Sequence, residues 1–311
     1  MKRHIVQTPE WADVKREYGT PAESAGGVMY TRHKIPGSSF YYAYSPRVSP
    51  TEINFEELKE SLIKNKCAAI NFDVPNVTYE APEAPDAVSI LSKKCVESKR
   101  SEFAKANVML DISKPEKELF SGMYKKHRYN VRQALKHGVE VRVGEKDEDF
   151  DAFFDLFEKT AKRQKYFIRP KKYYEIIWKK LHPKGICHIL TAYYKNVVVA
   201  SWMVFIYDEV LYYPYGGSSL DYKNLQASTL LGWEVIKFGK SKGCTLFDMW
   251  GAAEDLENKR DPYQGFTIFK LRFGGKYVKY IPSHDFVVNK FWYFVFNFAN
   301  SIRWKILPLF K

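Results

Sequence analysis

Two aspartates close apolar runs in this chain. Asp73 ends Ala68-Ala69-Ile70-Asn71-Phe72-Asp73, and Asp248 lies in Thr245-Leu246-Phe247-Asp248-Met249. A carboxylate at the end of a buried strand can accept a hydrogen bond from an attacking amine, or it can cap a helix; both readings are open for each. Tyr212, Tyr213 and Tyr215 sit on one strand, where period-two alternation puts Tyr213 and Tyr215 on one face and Tyr212 on the other. They can contact a substrate or pack as sheet aromatics. Nucleophile, phosphate-loop and metal signatures are missing: there is no G-x-S-x-G, no H-E-x-x-H, no G-x-x-x-x-G-K-[ST] and no G-x-G-x-x-G. The histidines do not cluster; His4, His33 and His284 read as surface residues and His188 as facing inward on a strand. Cys67, Cys95, Cys187 and Cys244 are scattered with no C-x-x-C pair, so free, mostly buried thiols in a reducing compartment are expected. Metal binding is not expected.

Charge adds a second clue. In 311 residues, 49 Lys plus Arg face 36 Asp plus Glu, a formal charge of +13. Such a field attracts nucleic acid, phosphorylated substrates or an anionic membrane face. The basic stretch 114–137 carries Lys125, Lys126, Arg128, Arg132 and Lys136, and a second patch holds Arg163, Lys165, Lys171 and Lys172. Each is either a solvated face or a contact for backbone phosphates. The basic start, Met1-Lys2-Arg3-His4, leads into no apolar core of a signal peptide, and no run approaches the roughly 18 apolar residues of a membrane span. The expected location is therefore cytoplasmic, on the side where the chain is made.

The elements that must position these residues follow from period and punctuation. Thr8-Pro9-Glu10 caps a helix within 5–18, Gly26-Gly27 opens strands at 28–30 and 40–44, and a helix at 55–66 precedes the strand ending at Asp73. A proline-rich loop covers 75–86. The basic helix or helix pair stops at Gly138, and a strand follows at 139–143. Helices at 149–166 and 172–181 precede three strands, 187–194, 197–207 and 210–215, turning at Asn196 and at Asp208-Glu209. A helix at 225–243, a strand at 245–249 and a loop at 251–264 come next; 266–273 is ambiguous, and 286–311 is an aromatic helix.

Helix, helix, three strands, helix, strand is the element order of an N-acyltransferase (GNAT-like) α/β domain, and the first half repeats it loosely. The expected fold class is α/β (α+β), with two GNAT-like domains packed side by side. The expected boundaries are 1–138 plus 286–311 for the first domain, which would bind the acceptor, and 139–285 for the second. A CoA-dependent enzyme would need glycine where backbone amides approach the pyrophosphate. The equivalent stretch, Asp221-Tyr222-Lys223-Asn224-Leu225-Gln226-Ala227-Ser228, has none. An acyl donor other than CoA is implied, and no cofactor is expected.

Gly265-Phe266-Thr267-Ile268-Phe269-Lys270-Leu271-Arg272-Phe273-Gly274-Gly275 is similar to the F-K-x-x-F-G-G signature of the Fem family, the aminoacyltransferases that build peptidoglycan interpeptide bridges. Further matches follow the family's order: Gln7-x-x-x-Trp11-x-x-x-Lys15, Phe72-Asp73, Arg128 through Gly138, Ile168-Arg169-Pro170, Tyr213-x-Tyr215-x-Gly217-Ser218, and Phe247-Asp248-x-x-Gly251. The chain resembles a short form without the family's long helical arm.

The resemblance implies that Lys270 contacts the acyl donor or the oxyanion formed as an amine adds to an ester, where a fixed cation lowers the barrier. The bland alternative is a solvated strand lysine. Lys15 and Arg169 would bind the acceptor's pyrophosphate in a cleft, Tyr213, Tyr215 and Asp248 would contact substrate, and Phe269 would shape the acceptor channel, with Phe273 as core. Arg128, Arg132 and Lys136 would contact tRNA. Asp73 is a candidate base, although the donor's ribose hydroxyls could move the proton instead.

The implied partners are aminoacyl-tRNA and a peptidoglycan precursor, lipid II or UDP-MurNAc-pentapeptide. Segment 286–311 either packs on the first domain or lies on the inner face of the membrane as an interfacial helix. Two rival readings are an acyl-CoA N-acyltransferase acting on a cell-envelope saccharide and a non-enzymatic basic module that binds RNA or membrane.

Overall fold

The structure is a computed structural model that describes residues 2–306. Along the chain it forms α1 (Pro9–Glu17), β1 (Ala22–Ala25), β2 (Val28–Lys34), β3 (Tyr41–Pro46), α2 (Phe55–Lys64), β4 (Cys67–Asp73), α3 (Ala84–Lys94), β5 (Val96–Glu97) and β6 (Ala106–Asp111). It continues with α4 (Glu116–Gly122), α5 (Lys125–Lys136), β7 (Glu140–Gly144), α6 (Asp147–Gln164), α7 (Lys171–Leu181), β8 (Cys187–Tyr194), β9 (Val197–Tyr207) and β10 (Val210–Ser218). The last elements are α8 (Ala227–Ser241), β11 (Leu246–Gly251), α9 (Gln264–Leu271), β12 (Lys276–Lys279), β13 (His284–Val287) and α10 (Lys290–Ile306).

The chain divides into two compact units, Arg3–Lys105 with Tyr280 onward, and Ala106–Lys279. The divisions fall at 105/106 and 279/280, not at 138/139 and 285/286 as expected from the sequence. β6 is the reason: it pairs with both β11 and β12, which draws 106–138 into the second unit. Tyr280 meanwhile bridges to Thr78, and β13 pairs with β4.

The first unit has the sheet order β1-β2-β3-β4-β13-β5. β4 is buried at every residue, as its apolar run dictates, because both its faces are covered. On one face Leu58, Leu62, Ile70, Phe72 and Leu91 form the core with α2 and α3. On the other, Tyr42, Ala68 and Ala69 receive Trp292, Tyr293 and Phe296 of α10. The Thr8 hydroxyl accepts from Trp11 N at 3.2 Å and Pro9 fills the first turn, so α1 starts as its sequence dictates. Gln7 donates to Met29 O and Pro46 O and accepts from Met29 N, which stitches the entry to α1 onto β2 and β3. His4 is buried rather than exposed: its Nδ1 accepts from Val6 N, and burial, with the Arg47 charge, holds the imidazole well below its usual value.

The second unit has the order β12-β6-β11-β10-β9-β8-β7. α8 and α5 cover one face over Trp202, Leu211, Leu231 and Phe247. α6 and α7 contribute the aromatic rings Phe153, Phe154, Phe157, Tyr174 and Trp178. Lys195-Asn196 and Asp208-Glu209 hold positive φ in the two hairpin turns, as expected of two-residue loops that match the strand twist. The basic stretch is a helix pair, α4 and α5, and Gly138 stops it at φ +80°. Only α6 and α7 lie between β7 and β8, so no helical arm is inserted there.

Gly217 lets β10 run against α6. A Cβ there would stand 2.7 Å from the Leu156 carbonyl and Phe157 N, all backbone atoms that cannot yield. Gly217→Ala is expected to cost about 1–3 kcal/mol, seen as a lower urea midpoint. Gly122→Ala, whose Cβ would meet nothing within 4 Å, should leave the midpoint unchanged or slightly higher.

Candidate active site

β10 and β11 are the parallel pair of the second sheet, and they stay paired only through Val210–Leu246, Leu211–Phe247 and Tyr212–Asp248. Past Tyr212 and Asp248 the two strands part. Each carries a bulge at that point. On β10 the register against β9 shifts between Tyr212 and Tyr215, so Tyr213 and Pro214 oppose one residue. On β11 the register against β6 shifts between Asp248 and Gly251. A bulge bends its strand and re-aims its side chains, and two facing bulges open a fork. The carboxyl ends of parallel strands where neighbours diverge are where ligands bind in open α/β sheets.

Lys270 reaches the end of β11, one edge of this fork, from α9. It is a buried helical residue, not the solvated strand lysine of the alternative reading; its relative exposure is 7 %. Its Nζ donates to Gly251 O at 2.6 Å and, more weakly, to Trp250 O at 3.4 Å, both at the end of β11. An ammonium has three donors, and the third has no protein acceptor among the described residues. Burial pulls the Lys270 ammonium down from the ordinary lysine value to about 8, while the Asp248 carboxylate opposes that shift. At neutral pH the group is therefore a cation in a dry setting, where it acts more strongly than in water.

Asp248 is held by a side-chain amide and a backbone amide. It accepts from Asn107 Nδ2 at 2.7 and 3.0 Å and from Trp250 N at 2.7 Å. The last bond turns the backbone so that Trp250 sits in the left-handed region, φ +64°. Asp248 thus supports the carbonyls that Lys270 holds and supplies the neighbouring negative charge.

The tyrosines depart from the expected arrangement. Tyr213 stacks on Trp202 with ring centroids 3.7 Å apart, on the α8 side of the sheet. Tyr215 instead meets Phe157, Tyr174 and Phe205 on the α6 side. The bulge inserts one residue between them, which puts them on opposite faces rather than one. Burial raises both phenols, so each is a neutral hydroxyl. Phe269 is half-buried beside Trp202 and Phe273, and Phe273 is core.

Asp73 lies in the first unit and is fully buried. Its Oδ2 accepts from Tyr44 Oη at 2.7 Å, Glu102 N at 2.9 Å and Phe103 N at 2.7 Å, and its Oδ1 accepts from Ser283 Oγ at 2.9 Å. A carboxylate with these donors already on it clamps the 102–103 turn to β4 and is ill-placed to accept an amine, which corrects its expected role as a base.

The expected phosphate and RNA contacts fall in both units, Lys15 in the first and Arg169, Arg128, Arg132 and Lys136 in the second. Lys15 is half-buried over the Trp11 ring at 5.3 Å, and Arg169 is exposed over Tyr173 at 5.0 Å. Arg128 does not face solvent as a free cation: it donates to Ser121 O at 2.8 Å and to Met123 O, capping the end of α4. Arg132 and Lys136 are exposed on α5.

Four residues complete the site without having been singled out from sequence. Asn107 holds Asp248, and Thr267 accepts from Ala253 N at 2.8 Å while donating to Tyr263 O at 2.8 Å, which ties the 251–264 loop to α9. His127 on α5 lies 3.2 Å from Phe269 O, one residue before Lys270, and burial lowers its imidazole to about 4. Trp202 is the platform under Tyr213. A helical reading of 266–273 would have found Thr267, which stands three residues before Lys270 on one face. Nothing marked Asn107, because β6 was not recognised. Among the described residues no cluster of three His, Cys, Asp or Glu side chains could hold a metal ion.

The family model described as "Acetyltransferase (GNAT) domain" matches residues 122–263. Lipid II:glycine glycyltransferase of Staphylococcus haemolyticus is 20% identical, covering 92% of this chain and 88% of that protein. The Staphylococcus epidermidis protein of the same name is 21% identical with the same coverage. The crystal structure of FemX superposes with a TM-score of 0.82 at 18% identity, covering 94% of each chain. The α/β fold expected from the sequence is thus shown, and the resemblance extends far beyond the motifs that first carried it.

Lys270 has a definite titration signature. The fold favours its neutral form, so between about pH 8 and the ordinary value of 10.5 the unfolded chain binds more protons. Over that window this group adds stability as pH rises; below about pH 8 the cost of burying the charge is fully present. The stability of the native chain minus that of Lys270→Met is expected to rise from pH 8 to 10.5 and to be flat below, measured by urea melts at each pH.

Proposed function

We propose that this chain, which resembles the Fem-type transferases along nearly its whole length, moves an amino acid from aminoacyl-tRNA to the stem-peptide amine of a peptidoglycan precursor. The relatives' names point to glycine as the residue transferred and to lipid II as the acceptor. The observation that carries the reading is the buried Lys270 ammonium on the carbonyls at the end of β11, where β10 and β11 have parted, with one donor uncommitted.

The acceptor amine adds to the ester carbonyl, and the carbonyl oxygen gains negative charge. The spare N–H of Lys270 would meet that oxygen, in a setting that needs no solvent reorganisation. Collapse breaks the ester bond, and the electron pair leaves on the ribose oxygen of the tRNA. The amine's proton passes to that oxygen, directly or through the neighbouring ribose hydroxyl. The products are an amide and free tRNA. No enzyme base is required, which agrees with the saturated carboxylate of Asp73. Orientation of the two substrates supplies the rest of the acceleration.

We assign Tyr213 to the acyl donor and keep Phe269, on the same Trp202 side of the sheet, as a candidate wall of the acceptor channel. Lys15 and Arg169 remain candidate pyrophosphate contacts, each in its own unit, and Arg132 and Lys136 remain candidate tRNA contacts. A second reading, with acyl-CoA as donor, draws on the acetyltransferase family match. Against it, Gln226 occupies the left-handed position at the start of α8 with a full side chain, φ +56°, where close approach to a pyrophosphate favours glycine.

The direct test is mass spectrometry of lipid II and of the soluble nucleotide precursor after incubation with a pool of charged tRNAs. A mass gain of one aminoacyl residue or more on either acceptor is expected, and no gain on either would reject the reading. Lys270→Ala should lower the single-turnover rate by about 10²–10³, with Lys270→Arg less affected. Because the ammonium is the active form, the native rate relative to that of Lys270→Arg should fall as pH rises through about 8.

A further inference from the structure

The last described helix, α10, has two aromatic faces, and one of them packs on the first sheet. On this inner face Tyr293 donates to Asp285 Oδ2 at 2.8 Å, Trp292 stacks on Phe40 at 5.2 Å, and Phe296 stacks on Tyr42 at 4.3 Å. The Arg100 guanidinium lies 4.6 Å from the Phe296 ring and 3.4 Å from the same buried Asp285. The helix is thereby bolted to the sheet. Its outer face carries Phe291, Phe294 and Phe298, at spacings of three and four, with exposures of 66%, 67% and 58%. The rings of Phe294 and Phe298 are near parallel, 6.2 Å apart.

Phenylalanines are seldom left in an exposed row at helical spacing unless something covers them. Charge says what does. From Phe286 to the end of the sequence there is no Asp or Glu, while Lys290, Arg303, Lys305 and Lys311 are basic, and the whole chain is at +13. A protein groove for such a segment would need matching acids; an anionic bilayer offers apolar depth and negative charge together. Among the described residues no helix is long and apolar enough to cross a membrane. We infer that α10 lies flat on an anionic phospholipid surface, with Phe291, Phe294 and Phe298 inserted at the level of the headgroups. Packing on the sheet and seating on a membrane, alternatives in the sequence, are then the tasks of two faces of one helix.

The surface stands on this geometry alone. Its use, bringing the protein to a lipid-linked acceptor, rests on the proposed transfer activity. The test therefore reads binding without turnover, so that the two can fail separately. The full chain is sedimented with vesicles of phosphatidylcholine, with and without phosphatidylglycerol, at low salt. Binding is expected only with phosphatidylglycerol, and the variant combining Phe291→Ser, Phe294→Ser and Phe298→Ser should bind at least about tenfold more weakly. Its melting temperature should match the native one, because the lost side chains are exposed. Phe294→Trp should gain, over the native chain, indole emission that brominated lipid in the same vesicles quenches. Failure of the native chain to bind, equal binding by the triple variant, or added indole emission in Phe294→Trp that goes unquenched would each overturn the inference. So would a triple variant whose one change is from dimer to monomer in sedimentation, since that would make a second copy the occupant.

Discussion

The second unit depends on one awkward fact: a lysine ammonium is held out of water. Removing a charge from solvent costs several kcal/mol, so the surroundings must be built to carry it. Here the carbonyls of Gly251 and Trp250 take two of its donors, and Asp248 supplies the opposite charge nearby. Those carbonyls lie where β11 is bulged against β6 and has left its pairing with β10. Asn107 fixes Asp248, Thr267 and Tyr277 tie down the loop that follows, and His127 packs against the helix that bears the lysine. If β10 and β11 stayed paired past Tyr212 and Asp248, there would be neither a fork nor free carbonyls at its edge.

The first unit uses a related device for another purpose. β3 and β4 are also a parallel pair, and each is followed by a residue in the left-handed region, Arg47 and Val74. A β-branched residue there is strained and persists only when its surroundings over-determine it. Asp73, just before Val74, is closed off by a phenol, a hydroxyl and two backbone amides. In the second unit the corresponding carboxylate, Asp248, is likewise tied, by Asn107 and Trp250 N, and the spare donor belongs to Lys270 on α9. Similar topology thus carries a tied carboxylate in both units, and what the second unit adds is a buried cation brought in by α9.

Much of this was legible from residue order. The alternating runs gave β8, β9 and β10 and their turns, and the basic stretch with Gly138 gave the α4–α5 pair. The buried run ending at Asp73 gave β4. What failed had identifiable causes. Strand β6 carries no turn signal of its own, and with it went Asn107 and the true domain boundary. The bulge between Tyr212 and Tyr215 leaves no mark in composition, so strict alternation misplaced Tyr213 and Tyr215 on one face. Lys270 was found by motif, not by physics: its short apolar segment fits a strand or a helix equally well. His4 looked like a surface residue because the ring packed against it, Phe103, is distant in sequence.

The protonation state of one side chain is decisive. Selective ¹³C labelling of the lysine Cε positions and heteronuclear NMR across the alkaline range would read that state directly. One resonance, missing in Lys270→Met, should titrate near 8 while the surface lysines titrate near their ordinary value. A Lys270 resonance that titrates with the surface lysines would mean a solvated ammonium, and the fork would then have no special cation to offer an ester.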